Sequence, residues 1–145
     1  MSHYYTIPMF DEAALMLVLR AAGPDFSRLV GYFGDDGARC IALIEQAHGQ
    51  GDAVALVDPA HKLKGEARQL GARRLGDISA EIERTARRCI EQQQQPGTID
   101  HEISMLRICF SQTLALLCEL TPRRVIPASR RASAGPRLFG RRAIS

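Results

Sequence analysis

The sequence predicts an all-α protein, an antiparallel four-helix bundle with an additional short helix near its N-terminus. Three observations favour this fold. Four long segments place apolar residues at steps of three and four, which is the spacing of one buried face of a helix. Short breaks between these segments favour antiparallel neighbours in a bundle. No stretch of useful length alternates apolar and polar residues as a half-buried strand does.

The 145 residues are enough for one domain and a tail. We assign residues 1–120 to the bundle and residues 121–145 to a flexible basic tail, because the tail is rich in Arg, Ser, Ala, Pro and Gly. Of the 19 Lys and Arg residues, seven follow Glu119, which leaves 12 against 16 Asp and Glu in the bundle. The bundle is therefore mildly acidic, and the basic excess does not indicate a nucleic-acid surface on it.

The N-terminal half is expected to form two helices. Asp11 is the predicted N-cap of a short helix that lies over the end of the bundle, although a strand is an alternative interpretation. Gly and Pro at residues 23–24 then break the chain. The next helix extends to about Ala47, and it is expected to fray or bend near residues 34–37, since each Gly costs ~1 kcal/mol relative to Ala.

The third helix carries the segment AHKLKGEARQLGA, and its start is open from the sequence. The helix begins afresh with Asp58 as N-cap, or it begins near Ala53 and kinks at Pro59. A fresh start would aim free N–H groups and the positive end of the helix dipole at an anion near His61.

Two further helices complete the predicted bundle. Gly71 suits the end of the third helix, and a fourth helix follows from about Arg73 to a break at residues 96–97. Thr98 is a candidate N-cap for a fifth helix that extends to about Leu120.

Cysteine spacing and hydropathy limit the classes of protein to consider. The four cysteines form no C-x-x-C pair, so we predict free thiols and no metal site. The longest apolar run, at residues 13–19, is far shorter than the ~20 residues of a membrane span. The N-terminus lacks the basic start and apolar segment of a signal peptide, so a cytoplasmic location is expected.

The candidate chemistry lies on one face of the third helix, where His61, Lys64, Gly65 and Arg68 follow at steps of three and four. A neutral imidazole has a free lone pair near pH 7 and can accept a phosphoryl group. Lys64 would neutralise that group, and an anion between Lys64 and Arg68 would relieve their repulsion. Gly65 would give a partner room to approach. The competing interpretation is a surface histidine without chemistry, beside a glycine at a close helix crossing.

These residues resemble the signature of the histidine phosphotransfer (HPt) domains of bacterial phosphorelays. That signature is a His, a Leu-Lys-Gly run beginning two residues later, and Gly-Ala near the end of the helix. In this sequence the matching residues are His61, Leu63, Lys64, Gly65, Gly71 and Ala72. The similarity extends loosely over residues 10–119. It implies a four-helix bundle with His61 as phosphoacceptor, Lys64 as an electrostatic aid and Gly65 as the place where a receiver domain approaches.

The resemblance also implies the partners. Such domains are phosphoryl carriers rather than autonomous kinases, and the chain has no Gly-rich nucleotide-binding loop. They take the phosphoryl group from an aspartate of a response-regulator receiver domain and pass it to another receiver, with a hybrid or sensor histidine kinase upstream. The receiver supplies Mg²⁺ and most of the catalytic machinery, so no cofactor of the protein's own is expected.

Four residues near the motif qualify this interpretation. Arg84 and Arg87 on the fourth helix are expected to border the site, which is an inference about packing rather than a motif match. Glu66 and Arg68 stand where HPt domains often have small residues, and Glu66 is expected to add negative charge near the transfer site.

Two other functions remain open from the sequence. The first is a non-phosphorylated adaptor whose bundle docks receivers or kinases. The second is a nucleic-acid-associated protein that acts through its Arg-rich tail. A membrane partner is not expected, and nucleic acid is the less favoured partner.

Overall fold

The computed structural model describes residues 3–95 and 99–121, and this part of the chain is helical without strands. The α-helices are α1 (Glu12–Ala22), α2 (Phe26–Gly49), α3 (Ala53–Gln69), α4 (Arg73–Gln92) and α5 (Asp100–Leu120), and single 3₁₀ turns lie at His3–Thr6 and Gly23–Asp25. Helices α2 to α5 pack in chain order, and α5 returns against α2 to close the bundle. Helix α1 contacts α2. The predicted four-helix bundle with an additional short N-terminal helix is confirmed.

Helix α1 is held at the turn between α3 and α4. Asp11 caps the helix by accepting a hydrogen bond from the Ala14 amide at 3.1 Å, so this segment is a helix and not a strand. The Asp11 amide in turn donates to the Gly71 carbonyl at 2.8 Å. Gly71 has φ +71°, and a Cβ there would lie 2.8 Å from the Leu15 amide nitrogen, so both conformation and space require glycine.

Helix α2 is continuous through its glycines, so the predicted fraying near residues 34–37 is wrong. A Cβ on Gly37 would overlap the Phe110 ring of α5, and one on Gly34 would lie 3.4 Å from the Leu114 side chain. The glycines therefore allow α5 to pack closely against α2. This contact compensates for the low helix propensity of glycine.

Helix α3 begins at Ala53, and Pro59 lies inside it, so the alternative of a fresh start at Asp58 is wrong. The N-cap is Asp52, whose carboxylate accepts from the Ala55 amide at 3.1 Å. His61 follows Ala53 by eight residues, or about 12 Å along the helix. The expected free N–H groups at His61 are therefore absent, because the helix N-terminus lies two turns earlier.

The core of the bundle is mainly aliphatic, and Tyr4, Phe26, Phe33 and Phe110 are its aromatic residues among those that the structure describes. The apolar face of α4 is buried in it and comprises Leu75, Ile78, Ile82, Ala86 and Cys89. Helix α5 is, by length and composition alone, apolar enough to cross a membrane. Its side chains that face α2 and α4 are buried in the bundle, whereas Ile108, Leu116 and Leu120 are exposed.

Several predictions concern residues outside the described ranges. They are the break at residues 96–97, the N-cap at Thr98 and the flexible tail beyond Thr121. The cysteines lie within the described ranges and are free. Cys40, Cys89 and Cys109 are buried, and Cys118 is exposed.

Candidate functional site

The His61 imidazole lies at the solvent edge of the seam between α3 and α4. The apolar stripe of α3 turns Ala60, Leu63 and Ala67 into the core, which leaves His61 on the outer face with 62% of its side chain exposed. Its Nδ1 lies 3.0 Å from Oε2 of Glu83 on α4. One ring nitrogen is thus anchored to the neighbouring helix, and Nε2 is left for a partner.

Glu83 is a buried carboxylate that three side chains share. Lys64 Nζ lies 2.7 Å from its Oε1, and Arg87 approaches its Oε2 with Nε at 3.0 Å and Nη2 at 2.8 Å. Burial raises the pKa of this carboxyl, but the hydrogen bonds from Lys64, Arg87 and His61 together lower the pKa to about 2. Glu83 is therefore ionised at neutral pH although only 7% of its side chain is exposed.

The charge of Glu83 decides the tautomer of His61. An ionised carboxylate can only accept hydrogen bonds, so a neutral imidazole must carry its proton on Nδ1 and donate it to Glu83. The lone pair then lies on Nε2, which faces away from the anchored nitrogen across the ring. The arrangement can present Nε2 as a nucleophile to an electrophile that arrives from solvent.

The other three residues predicted for the site on α3, Lys64, Gly65 and Arg68, differ in how close they lie to the His61–Glu83 pair. Lys64 joins the His61–Glu83 pair, with 23% of its side chain exposed. A Cβ on Gly65 would have no neighbour within 4 Å, so the surface beside His61 is open. Arg68 is directed to α4, where its Nη2 lies 3.6 Å from Asp77 Oδ1.

The two arginines expected at the border of the site are both on α4. Arg87 contacts Glu83 directly and so belongs to the His61 network. Arg84 pairs with Glu81 instead. A polar cleft of about 260 Å³ between α3 and α4 is lined by Lys64, Arg68, Ala80, Glu83, Arg84 and Arg87.

Glu66 lies on the other flank of α3, so the expected negative charge at the transfer site is not placed there. Its carboxyl is near Asp36 of α2, and burial together with the Asp36 charge raises the pKa of Glu66. The carboxylate on the His61 side is Glu83.

The sequence pattern did not identify Glu83 as a residue of the site. A weak signal was present, since Glu83 follows the buried Ile82 and stands four residues before Arg87. Its pairing with His61 depends on how α4 packs against α3. Within the described ranges, no group of three or more His, Cys, Asp and Glu side chains is arranged to hold a metal ion.

Comparisons with known proteins agree with this geometry. The family described as the Hpt domain matches residues 28–119, which is more than half of the chain and covers nearly all of α2 to α5. The crystal structure of histidine-containing phosphotransfer protein B (HptB) from Pseudomonas aeruginosa PAO1 is similar, with a TM-score of 0.68 and 25% sequence identity over 78% of this chain and 94% of that chain. No curated protein sequence matches. The bundle, the anchored histidine and the family match lead to one conclusion: the chain belongs to the Hpt family of histidine phosphotransfer domains.

Proposed function

We propose that the protein accepts a phosphoryl group on His61 Nε2 from the aspartate of a receiver domain and passes it to another receiver. The observation that carries this proposal is the contact between His61 Nδ1 and the ionised Glu83, on an imidazole that is otherwise exposed. This contact fixes the proton on Nδ1, so the exposed nitrogen is the nucleophilic one.

The chemistry needs only this nitrogen and a charged partner. The Nε2 lone pair attacks the phosphorus of an aspartyl phosphate, the Nε2–P bond forms, and the P–O bond to the aspartate breaks and returns its electron pair to the carboxylate. The ring gains positive charge as it is phosphorylated. Glu83 stabilises that charge through the Nδ1–H hydrogen bond. Attack by the aspartate of a second receiver reverses these steps.

Lys64 and Gly65 support the transfer in different ways. Lys64 stands one turn from His61, and its ammonium group can neutralise the phosphoryl oxygens while Glu83 holds it in place. The open space at Gly65 allows the active-site loop of a receiver to come close to the ring. Arg87 holds Glu83 from the opposite side to Lys64.

The proposal includes the partners and the setting of the relay. The receiver supplies Mg²⁺, a hybrid or sensor histidine kinase feeds the relay, and the carrier has no kinase activity of its own. We place this exchange in the cytoplasm. A role as a non-phosphorylated adaptor and a role in nucleic-acid binding are the outcomes that the following experiment must exclude.

Incubation with receiver domains charged by radiolabelled acetyl phosphate tests the proposal. The protein should gain label that is acid-labile and base-stable, and His61→Gln should gain none. His48→Gln is a matched control, because the His48 Nε2 is already tied to Asp100 at 2.7 Å. Label retained in His61→Gln would refute the assignment. Absence of label from every receiver tested would favour an adaptor.

A further inference from the structure

A second concave surface lies on the α2 flank of α3. It is a groove of about 500 Å³ between α1, α2 and α3. Its apolar walls include Val18, Ala22, Leu29, Tyr32, Phe33 and Leu70. Tyr32 is 62% exposed and Leu29 is 39% exposed, so large apolar side chains face solvent here. An apolar concavity of this volume is typical of a surface that binds another group.

Two carboxyl groups, Asp36 and Glu66, also line the groove, and one oxygen of Glu66 lacks a hydrogen bond. Asp36 Oδ1 accepts from Arg39 at 2.6 Å, and its Oδ2 lies 3.9 Å from Lys62. Glu66 Oε1 is buried and makes no hydrogen bond to any residue that the structure describes. A guanidinium group brought to Glu66 would supply the missing donor and separate the two like charges.

Helix α5 ends at Leu120, at the same end of the bundle as the start of α2. Helices α2 and α5 are antiparallel, because Gly34 faces Leu114 while Glu45 binds Arg107. The C-terminus of α5 is therefore close to the first turns of α2, which carry Leu29 and the other α2 residues of the groove. From Thr121, 17 residues lead to Leu138 and span up to about 56 Å. The ten residues from the start of α2 to Asp36 cover only about 15 Å.

We propose that residues 137–142, Arg-Leu-Phe-Gly-Arg-Arg, bind in the groove between α1, α2 and α3. Leu138 and Phe139 contact its apolar walls, and an arginine on either side of this pair reaches the carboxyls of Asp36 and Glu66. The charges are complementary, because seven arginines follow Glu119 whereas residues 1–120 have a net charge of −4. Because the segment is tethered to the bundle, its effective concentration near the groove is on the order of millimolar. Even a weak intrinsic affinity is then enough for the segment to occupy the groove.

Binding there has a consequence that rests on the proposed function. Lys62 contacts Asp36 at the groove and is the residue after His61, so the groove and the phosphoacceptor lie on adjacent surfaces of α3. A receiver that covers His61 would meet the bound segment. The segment therefore slows phosphoryl acceptance by competing for the docking surface.

Amide NMR spectra of the full chain test the binding itself. Leu138→Ala with Phe139→Ala should shift the amides of Leu29, Tyr32 and Glu66 and leave the amides near Glu83 unchanged. A peptide of residues 136–143, added to this variant, should reverse those shifts. The matched control is Val125→Ala with Ile126→Ala, which alters another apolar pair of the tail and should leave the groove amides unchanged.

The results of this experiment distinguish the C-terminal segment from a second copy of the chain as the occupant of the groove. Unchanged groove amides in the Leu138 and Phe139 variant would overturn the proposal, as would equal shifts in the Val125 and Ile126 control. Shifts that depend on protein concentration would assign the groove to a second copy of the chain instead.

The rate of phosphoryl acceptance tests separately whether the bound segment competes with the receiver. The Leu138 and Phe139 variant should accept label at least about twofold faster, as expected if the tethered segment occupies half of the molecules. If the groove amides shift but the rate of phosphoryl acceptance is unchanged, the segment binds in the groove but does not compete with the receiver. Failure of the parent chain to accept any label would refute the proposed function, whatever the amides show.

Discussion

The two flanks of α3 each have a carboxyl group that is partly or fully buried, and the pKa values of the two groups shift in opposite directions. On the α4 flank, Glu83 is bound by Lys64, Arg87 and His61, and the pKa of its carboxyl falls to about 2. On the α2 flank, burial and the charge of Asp36 raise the pKa of Glu66. Burial raises the pKa of both carboxyls, and the sign is reversed only at Glu83, because three side chains there donate hydrogen bonds to the charged form.

This difference suggests different uses for the two flanks. The α4 flank is a connected set of ion pairs that holds one ring in one tautomer, as a reacting group requires. The α2 flank combines exposed apolar side chains with an unpaired carboxyl oxygen, which favours binding over chemistry. The following predictions test whether the flanks separate in this way.

The largest expected difference is between Glu83→Ala and Glu66→Ala. Loss of Glu83 frees the Nδ1–H of His61 and removes the charge that stabilises the phosphorylated ring, so transfer should slow by about 100-fold. Loss of Glu66 should change the rate less than about twofold. Single-turnover transfer from a phosphorylated receiver measures both rates. Glu83→Gln, which keeps an acceptor without the charge, should fall between them. Equal effects of the two alanine variants on the transfer rate would contradict the assignment of chemistry to the α4 flank and binding to the α2 flank.

Acid unfolding should also separate the two carboxyls. The folded pKa of Glu83, about 2, is below its usual value of 4.5, so its contribution to stability is present above pH 4.5 and is lost as the pH falls towards 2. The contribution is on the order of 3 kcal/mol. Urea unfolding at a series of pH values should show a flatter acid dependence in Glu83→Gln.

Glu66 should show the opposite sign. Its pKa is raised on folding, so stability falls as its ionisation proceeds with rising pH. Glu66→Gln is therefore expected to be more stable than the parent chain at pH 7, by less than about 1 kcal/mol, and this gain should shrink at pH 4. A gain that grows on acidification would contradict the assigned direction.

A smaller effect on the transfer rate is expected from two lysines, Lys64 on the α4 flank of α3 and Lys62 on its α2 flank. Lys64→Ala removes the ammonium group next to Glu83 and should slow transfer about tenfold, or about 1.4 kcal/mol in the barrier. Lys62→Ala removes a neighbouring charge that faces Asp36, and transfer should change less than about twofold. Circular dichroism should show both variants folded. An unchanged rate in Lys64→Ala would refute the electrostatic role.

The most specific test of access to His61 comes from two glycines. A Cβ at Gly65 or at Gly31 would meet no atom within 4 Å, so Ala at either position should raise the unfolding free energy by about 1 kcal/mol. Only Gly65→Ala should also slow transfer, because the added methyl group lies where a receiver approaches. Normal transfer in Gly65→Ala would show that access does not explain this glycine.

Local sequence patterns were sufficient for much of this protein. The steps of three and four predicted a buried side for each of the four long helices, and Asp11 and Gly71 act as the predicted cap and stop. The motif around His61 pointed to the phosphotransfer family before any packing was known. These features depend on residues within a few turns of one another, where spacing and backbone preference decide the outcome.

Helical spacing is enough to place a histidine, a lysine and a glycine on one face of α3. Which residue of α4 meets His61, and which way Glu66 faces, depends instead on how the helices pack. Helical periodicity shows that a side is buried, but the register between two helices comes from the packing of the whole core. The carboxylate that binds Nδ1 is 22 residues away along the chain, so a local pattern could not pair it with His61. The same reason explains the continuity of α2, since its glycines are stabilised by contacts with α5 that form only in the closed bundle.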